Sequence, residues 1–142
     1  MRLLLIISAM MLTVVGCGGG LDPNAPILTS FTYNENGQPG AGDIPYDSVK
    51  TASRTITVGR AAFGNLCAGR LTSGVVSAGS EVTLNVIQSP ITSCAVRAAL
   101  VSYSGNIQLI PGTYHLRVIE TNGAHPQGAV VIDQTVVVPA VD

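Results

Sequence analysis

The chain has 142 residues, with seven Lys or Arg side chains against eight Asp or Glu and a formal net charge of −1. This length predicts one domain with its own core, and the dispersed cations exclude the basic surface of a nucleic-acid-binding protein. Charged residues make up only 11% of the sequence, below the roughly 25% of an average soluble protein. We therefore expect a surface of small polar side chains, a partner, or both.

The first segment has the pattern of an export signal. Arg2 precedes an apolar run from Leu3 to Val15, and Gly16 and Cys17 follow the run. A positive start, about 7–15 apolar residues and a small residue at the cut are the features of a signal peptide. The alternatives are an ordinary secretory signal cut nearby and a retained membrane helix. A spanning helix needs about 20 apolar residues, and the glycines at 18–20 would support it poorly.

Val14-Val15-Gly16-Cys17 resembles the cleavage box of bacterial lipoproteins. The resemblance implies that residues 1–16 are removed and that the sulfur of Cys17 receives a diacylglycerol, usually with a further acyl chain on the new amino terminus. Several fatty chains make membrane attachment stable, whereas one gives only marginal binding. The implied partner is the lipid bilayer, and the implied location is the cell envelope. In the family, an aspartate after the cysteine favours inner-membrane retention, so Gly18 favours the outer membrane where the host has two.

The mature chain is predicted to contain a tether and one domain. Residues 17–26 comprise the lipidated cysteine and a flexible tether, because GGGLDPNAP combines glycine, proline and small polar residues without apolar periodicity. A flexible chain of this length reaches on the order of 15–20 Å. Residues 27–142 are predicted to form a single domain whose first strand covers residues 27–33, where apolar and polar residues alternate.

Residues 34–48 have several glycines and prolines and no period, which predicts a long loop. Long loops in compact domains are often functional, and we regard Asp43, Tyr46 and Asp47 as candidate binding residues. The oxygen-bearing side chains of this loop are of the kind that ligates calcium. Their spacing matches no calcium loop, so a solvated loop is the expected structure.

Alternation predicts strands through the middle of the chain. Residues 55–58 form one, with a kink or bulge at Gly59. Short strands around 75–76 lead through a turn at 77–79 into residues 81–87, with Val82, Leu84 and Val86 inward. Residues 94–103 predict a strand that ends at Ser104-Gly105; a helix is the alternative for this run, because AVRAAL is also a good helix former.

Cys67 and Cys94 remain once Cys17 is assigned to lipid. An even pair outside the cytoplasm predicts a disulfide, which would close a loop of about 28 residues and stabilise the fold by roughly 3–4 kcal/mol on the chain-entropy model. Neither cysteine lies in a Cys-x-x-Cys motif or beside a histidine at ligand spacing, so a redox motif or zinc site is not predicted.

Residues 106–121 predict a short strand, a turn at Pro111-Gly112 and a longer strand with Tyr114, Leu116 and Val118 inward. The run from Leu109 to Leu116 resembles the junction into the penultimate strand of immunoglobulin-like and fibronectin-III-like modules. In that family the tyrosine at the position of Tyr114 is a corner residue whose hydroxyl bonds to backbone a few residues upstream.

The last stretch predicts a loop over 122–127, with Asn122 and His125 as candidate binding residues, and a final strand in GAVVIDQTVVV. The hydrophobicity of this strand favours pairing inside a sheet; the alternative is an edge open to a partner strand. Asp133 is then an outward residue that discourages aggregation. The fold class predicted is all-β: an immunoglobulin-like antiparallel β-sandwich of about six to eight strands behind a cleaved lipoprotein signal peptide.

The sequence contains no nucleophile elbow, zinc-protease helix or phosphate loop. His115 falls on an outward strand face and His125 in a turn, so both are expected to be surface histidines. We predict no catalytic residue, metal ligand or cofactor. The expected function is a non-catalytic binding, adhesion or structural module whose partner is an envelope protein or surface ligand. The alternatives are a diverged envelope hydrolase or metal-dependent enzyme, and an accessory subunit of an envelope assembly.

Overall fold

The computed structural model describes residues 22, 24–34, 45–65, 70–89 and 98–140. These residues form eight β-strands joined by turns and loops. The strands, in chain order, are β1 (Ile27–Tyr33), β2 (Tyr46–Ala52), β3 (Thr55–Asn65), β4 (Leu71–Ala78), β5 (Glu81–Gln88), β6 (Ala98–Gln108), β7 (Gly112–Thr121) and β8 (Ala129–Val138).

The strands form two four-stranded sheets, which confirms the predicted β-sandwich. The first sheet has the order β1-β6-β3-β2 and the second the order β4-β5-β7-β8. Adjacent strands are antiparallel except β5 and β7, which run parallel from Glu81 opposite His115 to Ile87 opposite Thr121. The chain leaves β5, returns through β6 in the other sheet and re-enters at β7, so β5 and β7 point the same way.

The core consists of side chains that alternate along the strands and face the opposite sheet. The predicted inward residues of β5 and β7 are all buried. They pack against the inner face of the first sheet. The main members of this core are Ile56, Val58, Val82, Leu84, Val86, Ile107, Leu116, Val118, Ile132, Val136 and Val138.

Two predicted breaks in the strands are wrong. β3 continues through Gly59 with an unbroken register to both neighbours, and the ring of Tyr46 would lie 3.6 Å from a Cβ at that position. β6 continues through Ser104 and Gly105, where a Cβ would contact Phe31 and Leu84 at 3.5 and 3.6 Å. A Cβ at either position would be at ordinary van der Waals distance from its neighbours, and neither glycine interrupts its strand.

Two further expectations are corrected at the sheet edges. The predicted loop over 34–48 ends earlier, because β2 begins at Tyr46; its side chains are mostly exposed, and Val49 packs against the core. β8 is an edge strand and not an interior one. Asp133, at 52% exposure, does face outward from this edge, as expected.

The junction between β6 and β7 contains the hydrogen bond implied by the sandwich resemblance. The Tyr114 hydroxyl donates to the Ile110 carbonyl oxygen at 2.9 Å, four residues upstream. The tyrosine ring is buried and packs over Gly112, where a Cβ would lie 3.4 Å from it. This bond fixes the chain where it crosses from one sheet to the other.

Replacing Tyr114 with Phe should lower the free energy of unfolding by about 1 kcal/mol, because the partly buried hydrogen bond to the Ile110 carbonyl oxygen is lost. Urea unfolding of the purified protein measures the change. Tyr46→Phe is the matched control: Tyr46 is half exposed, so its change should stay below about 0.5 kcal/mol. Equal effects of the two substitutions would contradict the assigned role.

Candidate functional site

The topology separates long connections from tight turns. The strands β1, β3, β5 and β7 all end toward one end of the sandwich, which we call the loop end. The opposite end, which we call the turn end, carries the two-residue turns at 53–54 and 79–80 and the short connection 109–111. Loops on a rigid scaffold are where binding residues concentrate, so the loop end is the candidate functional surface.

Backbone hydrogen bonds close the turn end. Arg54 N donates to Pro139 O at 3.2 Å, and Leu109 N donates to Arg54 O at 2.9 Å. His115 N donates to Ser80 O at 2.9 Å. Ser53 and Arg54 both have positive φ, at 31° and 66°, as the two central residues of a type I′ hairpin turn do. The bonds of Arg54 join the end of β6 and the end of β8 to the turn between β2 and β3, and the bond of His115 joins β7 to the turn between β4 and β5.

A cluster of four polar side chains joins the two sheets near the loop end, and we call it the polar bridge. Arg60 of β3 donates from Nε to Glu120 Oε1 of β7 at 2.6 Å. Its Nη1 forms an ion pair with Asp47 of β2. The Tyr103 hydroxyl of β6 donates to the same Glu120 oxygen at 2.8 Å. One carboxylate of the second sheet thus holds two strands of the first.

Burial and charge strengthen the polar bridge. The Arg60 and Glu120 side chains are only 16% and 19% exposed. Burial acts to lower the pKa of Arg60, but the hydrogen bond to Asp47 and the charge of Glu120 outweigh it and raise that pKa. Burial, followed by the charge of Glu120, raises the pKa of Tyr103 well above its ordinary value. Arg60 therefore remains charged and Tyr103 remains a hydrogen-bond donor.

A small cavity of about 70 Å³ lies beside the polar bridge. Its wall combines apolar side chains of both sheets with Glu120, Gln88 and Asn122. Ligand pockets for drug-sized molecules measure roughly 300–1,000 Å³. This cavity has room for a few water molecules or one small polar group.

The candidate binding residues of the two loops differ in position and in contacts. Asp43 lies outside the described residues. Tyr46 and Asp47 are strand residues at the loop end, and Asp47 is engaged by Arg60. Asn122 organises its own loop, because its Oδ1 accepts from the backbone N of Ala124 and His125 at 2.9 Å each. The structure thus brings Tyr46, Asp47 and Asn122 to the same end of the sandwich.

A second cluster covers the outer face of the second sheet. His115 contacts Glu81 Oε1 through Nδ1 at 3.2 Å and Asp133 Oδ1 through Nε2. Arg117 Nε lies 3.8 Å from Asp133 Oδ2. The cluster spans β5, β7 and β8, so it joins the edge strand to the centre of the sheet. His115 faces outward, as expected.

Both ring nitrogens of His115 are taken by carboxylates, which favours its protonated form. The hydrogen bond to Asp133 raises the pKa of His115; partial desolvation opposes this effect, and the charges of Glu81 and Asp133 add to it. Within the ranges that the structure describes, no group of three or more His, Cys, Asp or Glu side chains is placed to hold a metal ion.

Because the pKa of His115 is raised, the stability of the fold depends on pH and falls as the pH rises through that pKa. The imidazolium stabilises the fold below the unfolded-state pKa of about 6.5, and this contribution is lost as pH rises through the folded-state pKa. Asp133→Asn should lower the pH at which His115 titrates, measured from its ring proton by NMR. Asp47→Asn, in the other sheet, is the control and should leave it unchanged. An unchanged midpoint in Asp133→Asn would contradict the cluster.

The polar bridge was not predicted, although the sequence carries a signal for it. Arg60 continues the inward period of Ile56 and Val58, and Glu120 continues that of Leu116 and Val118. Opposite charges at the inward phase of two apolar strands indicate a pair across the core. The sequence carries no comparable signal for the pairing of Glu81 with His115, because this pairing depends on the parallel register of β5 and β7.

Three predicted residues, Cys17, Cys67 and Cys94, lie outside the described residues. Among the residues described, no helix has the length and apolarity required to cross a membrane. A scan against protein-family models finds no match, and comparisons with curated proteins and with solved structures likewise find none.

Proposed function

We propose that the protein is a lipid-anchored β-sandwich module of the cell envelope that binds an envelope protein or surface ligand and performs no catalysis. The observation that carries the proposal is the sequence Val14-Val15-Gly16-Cys17 at the end of an apolar run. Acylation of Cys17 would hold the domain at a membrane surface through several fatty chains. The outer membrane is the proposed location where the host has two.

The use of the charged residues supports a non-catalytic role. Each Asp and Glu among the described residues is engaged by a neighbour. Asp22 accepts from Asn24 N at 2.9 Å, while the other four belong to the two clusters around Arg60 and His115. These carboxylates hold strands and turns together. A general acid, general base or metal site needs such groups aimed at a substrate or an ion.

The alternatives are less well supported. In a diverged envelope hydrolase that used His115, this histidine would have to accept a proton from a nucleophile, but Glu81 and Asp133 occupy both of its ring nitrogens. A metal-dependent enzyme would need a ligand cluster. An accessory subunit of an envelope assembly is compatible with the same fold and anchor, and it is a special case of the binding role.

We also propose that Cys67 and Cys94 form a disulfide. The β3–β6 ladder ends with Asn65 opposite Ala98. Cys67 follows Asn65 by two residues and Cys94 precedes Ala98 by four. The two cysteines are thus separated from the same cross-strand pair by only six residues in total. The chain can therefore bring their Cα atoms to the separation of about 4.4–6.8 Å that a disulfide requires.

Mass spectrometry of the unreduced protein, isolated from membranes of its host, tests the proposal. The amino-terminal peptide should begin at Cys17 and carry a diacylglyceryl group, and the peptides of Cys67 and Cys94 should be joined. Cys17→Ser is the control and should retain its signal peptide without lipid. An unmodified Cys17 would overturn the anchor, and free thiols at Cys67 and Cys94 would overturn the disulfide alone.

A further inference from the structure

The chain enters the sandwich at the turn end. β1 begins at Ile27, whose Cα partner is Gln108. The far end of the β3–β6 ladder, Asn65 with Ala98, lies at the opposite end of β6. At about 3.4 Å per residue the two ends are about 34 Å apart. The segment before β1 therefore leaves the domain at the turn end, away from every long connection.

The segment between Cys17 and Ile27 is short compared with the sandwich. An extended chain spans about 3.3–3.6 Å per residue, but part of this segment is turned. Ala25 N donates to Asp22 O at 3.0 Å, and a turn of this kind holds its ends within about 7 Å. The segment therefore spans at most about 32 Å. An inverted domain, with its loop end on the membrane, would need that segment fully extended.

The exposed residues of the turn end suit a membrane surface. Apolar side chains surround this end, and the Arg54 side chain is exposed at its hairpin turn. A cation close to an anionic membrane surface is attracted to it. The exposed apolar residues there are Ile27, Ile110 and Val137.

We propose that the turn end faces the bilayer headgroups and that the loop end is directed away from the membrane. The inference rests on the proposed function, because it takes Cys17 as the anchor. The polar bridge then lies in the half of the domain that is far from the membrane. In this orientation the outer faces of the two sheets are roughly perpendicular to the plane of the membrane.

Paramagnetic relaxation in lipid nanodiscs tests this orientation. The lipidated protein is reconstituted into discs with and without a nitroxide-headgroup lipid, and amide broadening is compared by NMR. Amides of the turn end, such as Ser53 and Gly79, should broaden strongly, and those of the loop end, such as Asn122 and Gly123, weakly. Because the ends are about 34 Å apart, we expect a difference of at least about tenfold.

The controls separate the orientation from the anchor. Lengthening the tether with about twenty Gly and Ser residues should reduce the difference between the two ends, since the reach of a flexible chain grows with the square root of its length. Equal broadening at both ends, or stronger broadening at the loop end, in protein whose mass shows the lipid would overturn the orientation and leave the proposed function standing. Protein from host membranes that carries no lipid would overturn both.

Discussion

The ion pair between Arg60 and Glu120 joins the two sheets one residue before the end of β7 and five residues before the end of β3. Below it, toward the turn end, facing side chains of the two sheets are apolar and exclude water. At its level, β3 and β7 present charges in place of the next apolar residues. An unpaired charge at this depth would cost several kcal/mol, so each of the two residues depends on the other. Asp47 and Tyr103 complete the pairing from β2 and β6.

The two ends of the sandwich are closed by different kinds of interaction. At the turn end, connections are too short for side-chain networks, and backbone bonds around Arg54 with the Tyr114 hydroxyl fix the crossing between sheets. At the loop end, long connections separate the strands, and side chains must join the sheets. A chain with so few charged residues uses them where strands need to be joined: at the polar bridge and around His115.

Much of the fold follows from sequence because inward residues recur at every second position. That period identified β5 and β7 with their inward faces, β-branched content identified β8, and Pro111-Gly112-Thr113-Tyr114 identified the corner. β2 was missed for a physical reason. Only its residue Val49 packs against the core, and the turn that follows, Ser53-Arg54, adopts positive φ without the glycine or asparagine that usually marks such turns.

The candidate site was less predictable, because its residues meet through the topology. Arg60 and Glu120 are far apart in the chain, and only the placement of β3 opposite β7 brings them together. Glu81 and His115 are likewise far apart in the chain. They meet because the chain passes through β6 in the other sheet before β7 pairs in parallel with β5. Gly59 and Gly105 led to wrong predictions because glycine often marks a bulge or a strand end, whereas here it lies inside strands whose mutual register is unbroken.

The ion pair between Arg60 and Glu120 joins the two sheets near the loop end, and each of the two charges depends on the other. A double-mutant cycle with Arg60→Met, Glu120→Gln and the double variant, followed by urea unfolding, measures their coupling free energy directly. We predict a coupling of about 1–3 kcal/mol, with the double variant more stable than the sum of the single losses implies. A coupling below about 0.3 kcal/mol would mean that the pair does not join the sheets.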